Sequence, residues 1–248
     1  MKALAFFHEA AERLAMRELA ARAAGLRPGD PIAPGARIVE WDGSFDELHR
    51  ILSDDPPVFV RDIQPIEEGV LPRERLRRYA YTICRSELKL LEAVGLFGIP
   101  TPRGGLAVDL GAAPGGWSYI LASRGMRVIA VDPGDLRPLA AGHPNVEHVR
   151  TTAGQFLKTA GRGSAALLVN DMKMEPGRSC DVTLDYAPIL EPGGWAVMTL
   201  KLPSNAASSW PGIIGRSRDA LKQSYAVMGI RQLRANRSEA TCVMARLG

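Results

Sequence analysis

From about residue 100 onward, short apolar runs alternate with stretches in which apolar residues recur every three or four positions. The runs predict buried strands and the stretches between them predict helices. The predicted strands lie at 106–110, 127–132, 146–150, 165–171 and 194–201. Residues 229–248 predict two more strands joined by a short polar turn. Strands that alternate with helices form a parallel, doubly wound α/β sheet, and the terminal hairpin would make one strand antiparallel.

Residues 1–70 predict a separate small α/β domain that precedes this sheet. Its predicted elements are a strand or helix start at 2–7, a helix at 9–24, a strand at 36–41, a helix at 44–52 and a strand at 57–66. Pro and Gly interrupt the pattern at 27–35 and at 67–74. We place the domain boundary in the second segment, so that residues 71–248 form the larger domain and begin with a helix at 72–95.

Composition adds little that is specific to this picture. Lys and Arg number 31 against 27 Asp and Glu, a small excess that only weakly favours an anionic partner. Cys84, Cys180 and Cys242 lie far apart, which is typical of reduced thiols in a cytoplasm. The four histidines form no pair with metal-ligand spacing, and no apolar run reaches the roughly 18 residues that a membrane span needs. We therefore expect a cytoplasmic protein without a metal or a membrane partner.

The turn after the first strand of the larger domain has the residues expected of a binding site for a nucleotide-like ligand. In the stretch VDLGAAPGGW, Gly111, Gly115 and Gly116 follow a buried strand and open a helix, with Pro114 between them. Glycine lets the backbone approach a ligand closely, and a helix start offers free N–H groups. Asp132 ends the next strand, at a spacing that suits a carboxylate accepting hydrogen bonds from ribose hydroxyls.

The spacing of these glycines argues against a dinucleotide. Such a site would show G-x-G-x-x-G, whereas this turn reads G-x-x-x-G-G, and no phosphate-loop motif is present. S-adenosylmethionine has a ribose and an adenine but no phosphate. Its carboxylate would take the N–H groups that a phosphate would otherwise occupy. A plain tight turn with an incidental glycine cluster is the alternative.

The stretch DLGAAPGGWS resembles motif I of the FtsJ-like ribose 2′-O-methyltransferases, which bind S-adenosylmethionine on a Rossmann-like, seven-stranded sheet. The family often places an acid after its third strand to reach adenine. This chain has Thr152 and Gln155 in that region, and one of them would take the place of the acid. The cofactor-binding residues that the resemblance implies are Asp109, Gly111, Ala113, Pro114, Gly115, Gly116, Trp117, Asp132 and Thr152.

Methylation of a ribose hydroxyl needs alignment of oxygen, methyl and sulfur, and help in removing one proton. A lysine can act as the base if its pKa is lowered, and a carboxylate can orient it. Enzymes of the resembled family use a Lys-Asp-Lys-Glu set, which Lys89, Asp171, Lys201 and Glu239 match in chain order. The resemblance covers about residues 80–248. Lys201 would be the base or the group that orients the hydroxyl, and Asp171 would hold Lys201 in place. Lys89 and Glu239 would complete the network.

The substrate that the resemblance implies is RNA, most specifically ribosomal RNA. The stretches DMKMEP and TLKLP are closest to a branch that methylates a cytidine ribose in large-subunit ribosomal RNA and carries a larger N-terminal half. Arg75, Arg78, Arg85 and Lys89 would form one basic stripe along the helix predicted at 72–95. Arg231, Arg234 and Arg237 form a second basic group near Glu239. Either an RNA contact or an ordinary solvated surface explains them, and residues 1–70 are a candidate RNA-docking unit.

Other interpretations are weaker. Base-amine methyltransferases often carry N-P-P-Y after the fourth strand, where this chain has Asn170-Asp171-Met172-Lys173. A cytosine C5 enzyme needs a nucleophilic cysteine, and Cys180 more often would pack as a small apolar group. Trp210 lies in a polar stretch, where it would be a lid, an RNA contact or a cover for an apolar edge. The alternative function is an RNA-binding or ribosome-assembly factor that binds the cofactor without turnover.

Overall fold

The structure, a computed structural model, describes residues 1–33, 35–66 and 82–248. Within the first two ranges the chain forms an antiparallel sheet with the strand order β2-β3-β1-β4. Its elements are β1 (Lys2–Phe7), α1 (Glu12–Arg22), β2 (Arg27–Ala33), β3 (Ala36–Glu40), α2 (Phe45–Asp54) and β4 (Val60–Pro65). The small N-terminal α/β unit predicted from the sequence is therefore present.

Strand β2 is not among the predicted elements, because the two prolines and the glycine in its sequence RPGDPIA are typical of a loop. In the described part of the chain it lies at the edge of the sheet and pairs only with β3, with register shifts around Pro28 and Pro31. An edge strand tolerates proline, since a missing N–H on its open side costs no ladder hydrogen bond. The expectation of a loop at 27–35 is thus wrong for most of its length.

The larger domain contains a seven-stranded sheet with the order β10-β11-β9-β8-β5-β6-β7 among the described residues. Its strands are β5 (Leu106–Leu110), β6 (Arg127–Val131), β7 (Val146–Val149), β8 (Ala165–Asn170), β9 (Leu190–Lys201), β10 (Tyr225–Arg231) and β11 (Glu239–Arg246). Strands β5 to β9 are parallel, whereas β11 is antiparallel to both of its neighbours. The predicted Rossmann-like, doubly wound sheet with a terminal antiparallel hairpin is confirmed.

Helices cover both faces of this sheet. They are α3 (Glu87–Phe97), α4 (Gly116–Ser123), α5 (Pro138–Ala141), α6 (Ala153–Phe156), α7 (Pro176–Asp185) and α8 (Trp210–Leu221). Neighbouring strand residues point to opposite faces, so Val169 packs with α3 and α4 while Leu168 packs with α7 and α8. None of the helices in the described ranges is long and apolar enough to cross a membrane.

The helix predicted at 72–95 is wrong for its described portion before Glu87. Residues 82–86 form bends and turns, and α3 begins at Glu87. The cause is the buried Glu87 carboxylate, which accepts backbone N–H bonds from Thr82, Ile83 and Cys84 at 2.6–2.9 Å. Those N–H groups are therefore turned toward a side chain instead of toward a helical carbonyl. The predicted domain boundary at 67–74 lies outside the described residues.

Trp210 joins the two sheets and is not part of an exposed loop. It is the first residue of α8, is fully buried, and donates its indole N–H to the carbonyl of Pro203 at 2.9 Å. Its ring lies 5.6 Å from that of His8 and 6.0 Å from that of Phe59, both in the N-terminal unit. Of the three predicted roles, the cover for an apolar edge is the one observed.

We expect Trp210→Ala to destabilise the protein by about 3–5 kcal/mol, as measured by urea unfolding, because it opens a cavity between the two units. Trp210→Phe serves as the matched control, since it keeps an aromatic ring against His8 and Phe59 and should lose much less. Equal unfolding free energies for the wild type and the alanine variant would contradict this role of Trp210.

Candidate active site

The four residues predicted to carry catalysis come from four separate elements and meet at one edge of the large sheet. Lys89 lies in the first turn of α3, Asp171 directly follows β8, Lys201 ends β9 and Glu239 begins β11. Because β9 and β11 pair antiparallel, Lys201 and Glu239 are direct register partners. Cross-strand partners on one face are close enough for their side chains to interact.

The side chains form one closed network of charges. The Lys89 ammonium lies 2.7 Å from both carboxylate oxygens of Asp171 and 2.9 Å from Oε2 of Glu239. The Lys201 ammonium lies 2.5 Å from Oδ1 of Asp171 and 3.3 Å from Oε1 of Glu239. Each lysine therefore bridges both carboxylates, and the formal charges of the four groups balance.

The two lysines differ in how many of their ammonium N–H donors the two carboxylates occupy. Lys89 is 3% exposed, and its three contacts with carboxylate oxygens account for all three of its N–H donors. Lys201 is 20% exposed and makes two such contacts with the described residues, which leaves one donor beyond them. Lys201 is therefore the member of the network that can reach a hydroxyl outside it.

Both carboxylates are held in their ionised form. Burial alone would raise the pKa of Asp171, but the positive charges of Lys89 and Lys201 outweigh it and lower that pKa below its ordinary value. The same balance, with burial opposed by the same two lysines, lowers the pKa of Glu239. Neither group takes up a proton near neutral pH, so both act as hydrogen-bond acceptors.

Two buried polar residues outside the predicted catalytic set shape the position of Asp171. Thr199 donates its hydroxyl to Oδ1 of Asp171 at 2.6 Å. Asn170 accepts the backbone N–H of Met172 at 3.1 Å and donates to Ser179 and Thr183, which fixes the turn after β8. The strand period could have revealed Thr199, since residues two apart on a strand share a face and Lys201 lies two positions further on.

The glycine turn follows β5, next to the point where the strand order reverses between β5 and β8. Gly111 and Gly115 have φ values of 71° and 102°, which favour glycine. A Cβ at Gly111 would lie 2.4 Å from the side chain of Met172, and one at Gly115 would lie 2.5 Å from Cβ of Ala140. The glycines therefore give room to neighbouring protein segments, and the turn lies against the chain that carries Asp171.

The remaining residues of the turn also make contacts within the protein. Gly116 faces the Cys84 thiol, where an added Cβ would lie 2.5 Å from Sγ. The peptide bond between Ala113 and Pro114 is cis, and the Pro114 carbonyl accepts the backbone N–H of Arg137 at 2.9 Å. Cofactor binding by these residues of the turn stays a prediction.

Trp117 lies in the core beneath the turn. Its ring packs with α3 and the sheet, and its indole N–H donates to the carbonyl of Ser86 at 2.7 Å. The bond ties the segment before α3 to the start of α4. Trp117 thus supports the glycine turn from below, and its predicted contact with the cofactor stays a prediction.

Asp132 lies at the carboxyl end of β6 and is only partly buried. Its carboxylate accepts the backbone N–H of Ala113 at 3.1 Å and that of Gly134 at 2.7 Å. These two bonds hold its oxygens at the rim of the turn, in the place where a ribose acceptor is expected.

Thr152 and Gln155, the candidates for the adenine contact, are bonded to each other. Thr152 caps the short helix α6 by accepting the backbone N–H of Gln155 at 3.3 Å, and the Gln155 side chain accepts from the backbone N–H of Thr152. This reciprocal capping box gives both side chains a structural role. An adenine contact by either residue stays a prediction.

Most of the basic residues predicted to follow RNA contact the protein itself where they are described. Arg75 and Arg78 lie outside the described residues, and Arg85 donates to the carbonyl of Ala235 at 2.6 Å. Because residue 85 precedes α3 and Lys89 is buried, the predicted stripe does not exist in this part of the chain. In the second basic group, Arg231 donates to Val60 and Arg234 pairs with Asp62, both in β4. Arg237 is exposed, and an RNA contact by its side chain stays a prediction.

Asp109 is a carboxyl group buried beneath the glycine turn. It is 1% exposed and accepts the hydroxyl of Ser118 at 2.6 Å. Burial raises its pKa to about 7, an effect that the Ser118 hydrogen bond opposes and the nearby negative charge of Asp171 reinforces. Its predicted role in cofactor binding is not tested by these contacts, which place it inside the fold.

The sequence profile of the FtsJ-like methyltransferase family matches residues 82–189, which include the glycine turn, Lys89 and Asp171. Residues 82–189 belong to the FtsJ-like methyltransferase family. The match confirms the family resemblance drawn from DLGAAPGGWS. It ends before Lys201 and Glu239, so these two residues rest on the geometry of the network.

Curated relatives extend the similarity over most of the chain. The ribosomal RNA large subunit methyltransferase M of Methylococcus capsulatus is 35% identical over 238 residues, covering 91% of this chain and 62% of that protein. The protein of the same name from Marinobacter nauticus is 34% identical, covering 90% of this chain and 63% of its own length. The chain thus spans a little under two thirds of these relatives.

Solved structures share the fold. The Methanococcus jannaschii fibrillarin pre-rRNA processing protein superposes with a TM-score of 0.52 at 14% identity, over 79% of this chain and 93% of its own. A Plasmodium falciparum chain described as a ribosomal RNA methyltransferase gives a TM-score of 0.51 at 16% identity, over 67% of this chain and 98% of its own. At such identities the likeness concerns the fold alone.

We expect Asp109→Asn to change how stability depends on pH. Because the folded-state pKa is about 7 and the ordinary value is 3.8, the native state binds more protons between these values. The contribution of Asp109 to the unfolding free energy should therefore fall as pH rises from about 4 to about 7, by about 4 kcal/mol for a shift of this size. Asp109→Asn keeps an acceptor for Ser118 and should lack this decline.

Urea unfolding at a series of pH values measures the effect. The control is Asp219→Asn, which removes a surface carboxylate that is 76% exposed. Parallel stability curves for the wild type and Asp109→Asn would show that Asp109 does not titrate in this range.

Proposed function

We propose that this protein transfers a methyl group from S-adenosylmethionine to a ribose 2′-hydroxyl of RNA, with large-subunit ribosomal RNA as the substrate class. The observation that carries the proposal is the closed network of Lys89, Asp171, Lys201 and Glu239 beside the glycine turn. Membership of the FtsJ-like family and the names of the curated relatives support the methyltransferase chemistry and the RNA substrate.

The residues around the turn fit this cofactor better than a phosphate-bearing one. The segment from Gly111 to Gly116 contains no cationic side chain, and the carboxylates Asp132 and Asp109 lie at its rim and base. Carboxylates repel phosphates but accept from ribose hydroxyls and from an ammonium group. When bound, S-adenosylmethionine supplies a methyl group on a positively charged sulfur.

In this proposal Lys201 contacts the ribose hydroxyl with its remaining donor position. Asp171 and Glu239 hold its ammonium from two sides, so the nitrogen cannot swing away from the sheet edge. The buried Lys89 neutralises the same two carboxylates from behind. Methyl transfer would form the oxygen–carbon bond as the methyl–sulfur bond breaks and the sulfur becomes a neutral thioether. The hydroxyl proton would go to Lys201 where its amine has first lost a proton, or otherwise past the Lys201 ammonium to water.

Substitutions of Lys201 separate these two routes. Arginine keeps the charge and the donors but does not give up its proton, whereas methionine keeps neither. If Lys201 is the base, Lys201→Arg and Lys201→Met should both lower kcat, by about 100-fold or more for a general base. If it only orients the hydroxyl, Lys201→Arg should retain most of the activity.

The matched control is Lys173→Met, which removes an exposed lysine two residues beyond Asp171. We expect its kcat to equal that of the wild type. Full turnover by Lys201→Met would remove Lys201 from the mechanism.

The acceptor is tested with methyl-labelled S-adenosylmethionine and unmodified large-subunit ribosomal RNA, followed by digestion to nucleosides. We expect the label in 2′-O-methyl nucleosides, with small-subunit RNA unlabelled. Label in a base, or cofactor binding with no transfer to either RNA, would contradict the proposal. The last result would instead fit an RNA-binding factor that does not turn over.

A further inference from the structure

The loop between β10 and β11, residues 232–238, connects the N-terminal sheet to the catalytic network. The backbone N–H of Gln232 donates to the carbonyl of Val58 at 2.6 Å, just before β4. In the other direction, Arg61 in β4 donates to the loop carbonyl of Asn236 at 2.7 Å. The loop is therefore anchored at both of its ends to the N-terminal unit.

Asn236 lies inside this loop with its side chain toward the active site, and it is only 2% exposed. Its amide oxygen accepts the backbone N–H of Leu233 at 2.6 Å and the hydroxyl of Thr241 at 3.2 Å. A backbone N–H can only donate, so the oxygen must face Leu233 and the NH₂ must face the other way. That NH₂ donates to Oε2 of Glu239 at 3.3 Å.

Placing the Arg61 guanidinium against the Asn236 carbonyl costs free energy, because the charged group is partly buried. Burial lowers its pKa to about 10, which still leaves it charged at neutral pH. Its Nε atom is buried without a hydrogen-bond partner among the described residues. A charge with an unmet donor is expensive to bury. What Arg61 gains there is its bonds to the loop carbonyls of Asn236 and Arg237, together with the attraction of the Glu92 and Glu239 carboxylates.

We propose that Asn236 is a positioning residue that fixes the Glu239 carboxylate, and that the N-terminal sheet takes part in catalysis by holding Asn236 through Arg61. The inference rests on the proposed methyl transfer for its effect on turnover. It gives the N-terminal unit a task inside the active site, separate from any docking of RNA.

The expected consequence follows from the contacts of Glu239. Its Oε2 atom is shared by Asn236 and Lys89, and its Oε1 atom meets Lys201. Without the amide, Oε2 of Glu239 keeps only its contact with Lys89, so the carboxylate is held less firmly in the orientation that presents Oε1 to Lys201. Turnover should fall, while cofactor affinity should stay unchanged because Glu239 lies outside the glycine turn.

The test compares Asn236→Ala, Arg61→Met and the double variant with the wild type. The control is Arg27→Met, which removes an exposed N-terminal arginine paired with Asp42. Loss of one hydrogen bond to a charged group should lower kcat at saturating RNA about tenfold in each single variant. The dissociation constant for S-adenosylmethionine should stay within about twofold of the wild type.

Both substitutions interrupt the same chain of contacts from Arg61 through Asn236 to Glu239. The kcat of the double variant should therefore be no lower than that of the slower single variant. Arg61→Lys, which keeps a charged donor, should recover a large part of kcat. Unchanged kcat in either single variant, or effects that multiply in the double variant, would overturn the proposal. So would a loss of cofactor affinity that matches the loss of kcat.

A second readout does not depend on turnover. Carbon-13 NMR titration of the Glu239 carboxyl group, without RNA, should give a higher pKa in Asn236→Ala, because a hydrogen bond to the ionised form is lost. Asn236→Asp keeps the shape of the side chain and adds a negative charge, so it should raise that pKa further. It also carries the test if the alanine variant does not fold.

The two proposals fail in different ways. A wild-type protein that methylates no RNA would refute the proposed function, while the Glu239 titration would still decide the role of Asn236. An unchanged Glu239 pKa in both Asn236 variants would overturn the positioning role, whatever the activity of the wild type.

Discussion

The structure depends on the need to balance charges that are withdrawn from water. Lys89 is almost completely buried, and a buried ammonium is tolerable only with opposite charges at hydrogen-bond distance. Asp171 and Glu239 provide them, and Lys201 in turn balances the second negative charge. Helix α3 and strands β8, β9 and β11 must therefore meet in one arrangement. The same interaction that could carry catalysis also fixes how these elements are packed.

Much of the large sheet could be predicted because its strands are short apolar runs with Gly- and Pro-containing turns. The positions of Asp171 and Lys201 followed as well, since both stand at the carboxyl end of a parallel strand. Strand β2 could not be predicted, because its two prolines are acceptable only at an edge, and edges are not visible in the sequence. The true start of α3 depends on Glu87 turning back on residues 82–84, a tertiary detail within a sequence of helical periodicity.

Asn236 illustrates a different limit. Its sequence surroundings are those of a polar turn, and nothing in the spacing links it to Glu239 more than to its other neighbours. Its role becomes visible only when the donors around its amide oxygen are known. Arg231 and Arg234 show the converse, since they belong to a group that resembles an RNA-binding patch in sequence but contact β4 in the structure. Charge alone does not separate a surface that binds a partner from one that joins two parts of a chain.

The register of β9 and β11 places Lys201 opposite Glu239 across one ladder of hydrogen bonds. Between them the chain runs through α8, β10 and the loop that follows it. As long as the pairing of the two strands is kept, exposed positions of this intervening segment can gain, lose or exchange residues without separating the pair. Trp210 and Asn236 within it stay tied to the N-terminal unit and to Glu239. In evolutionary terms, the surface offered to an acceptor could diversify here while the charge network is inherited intact.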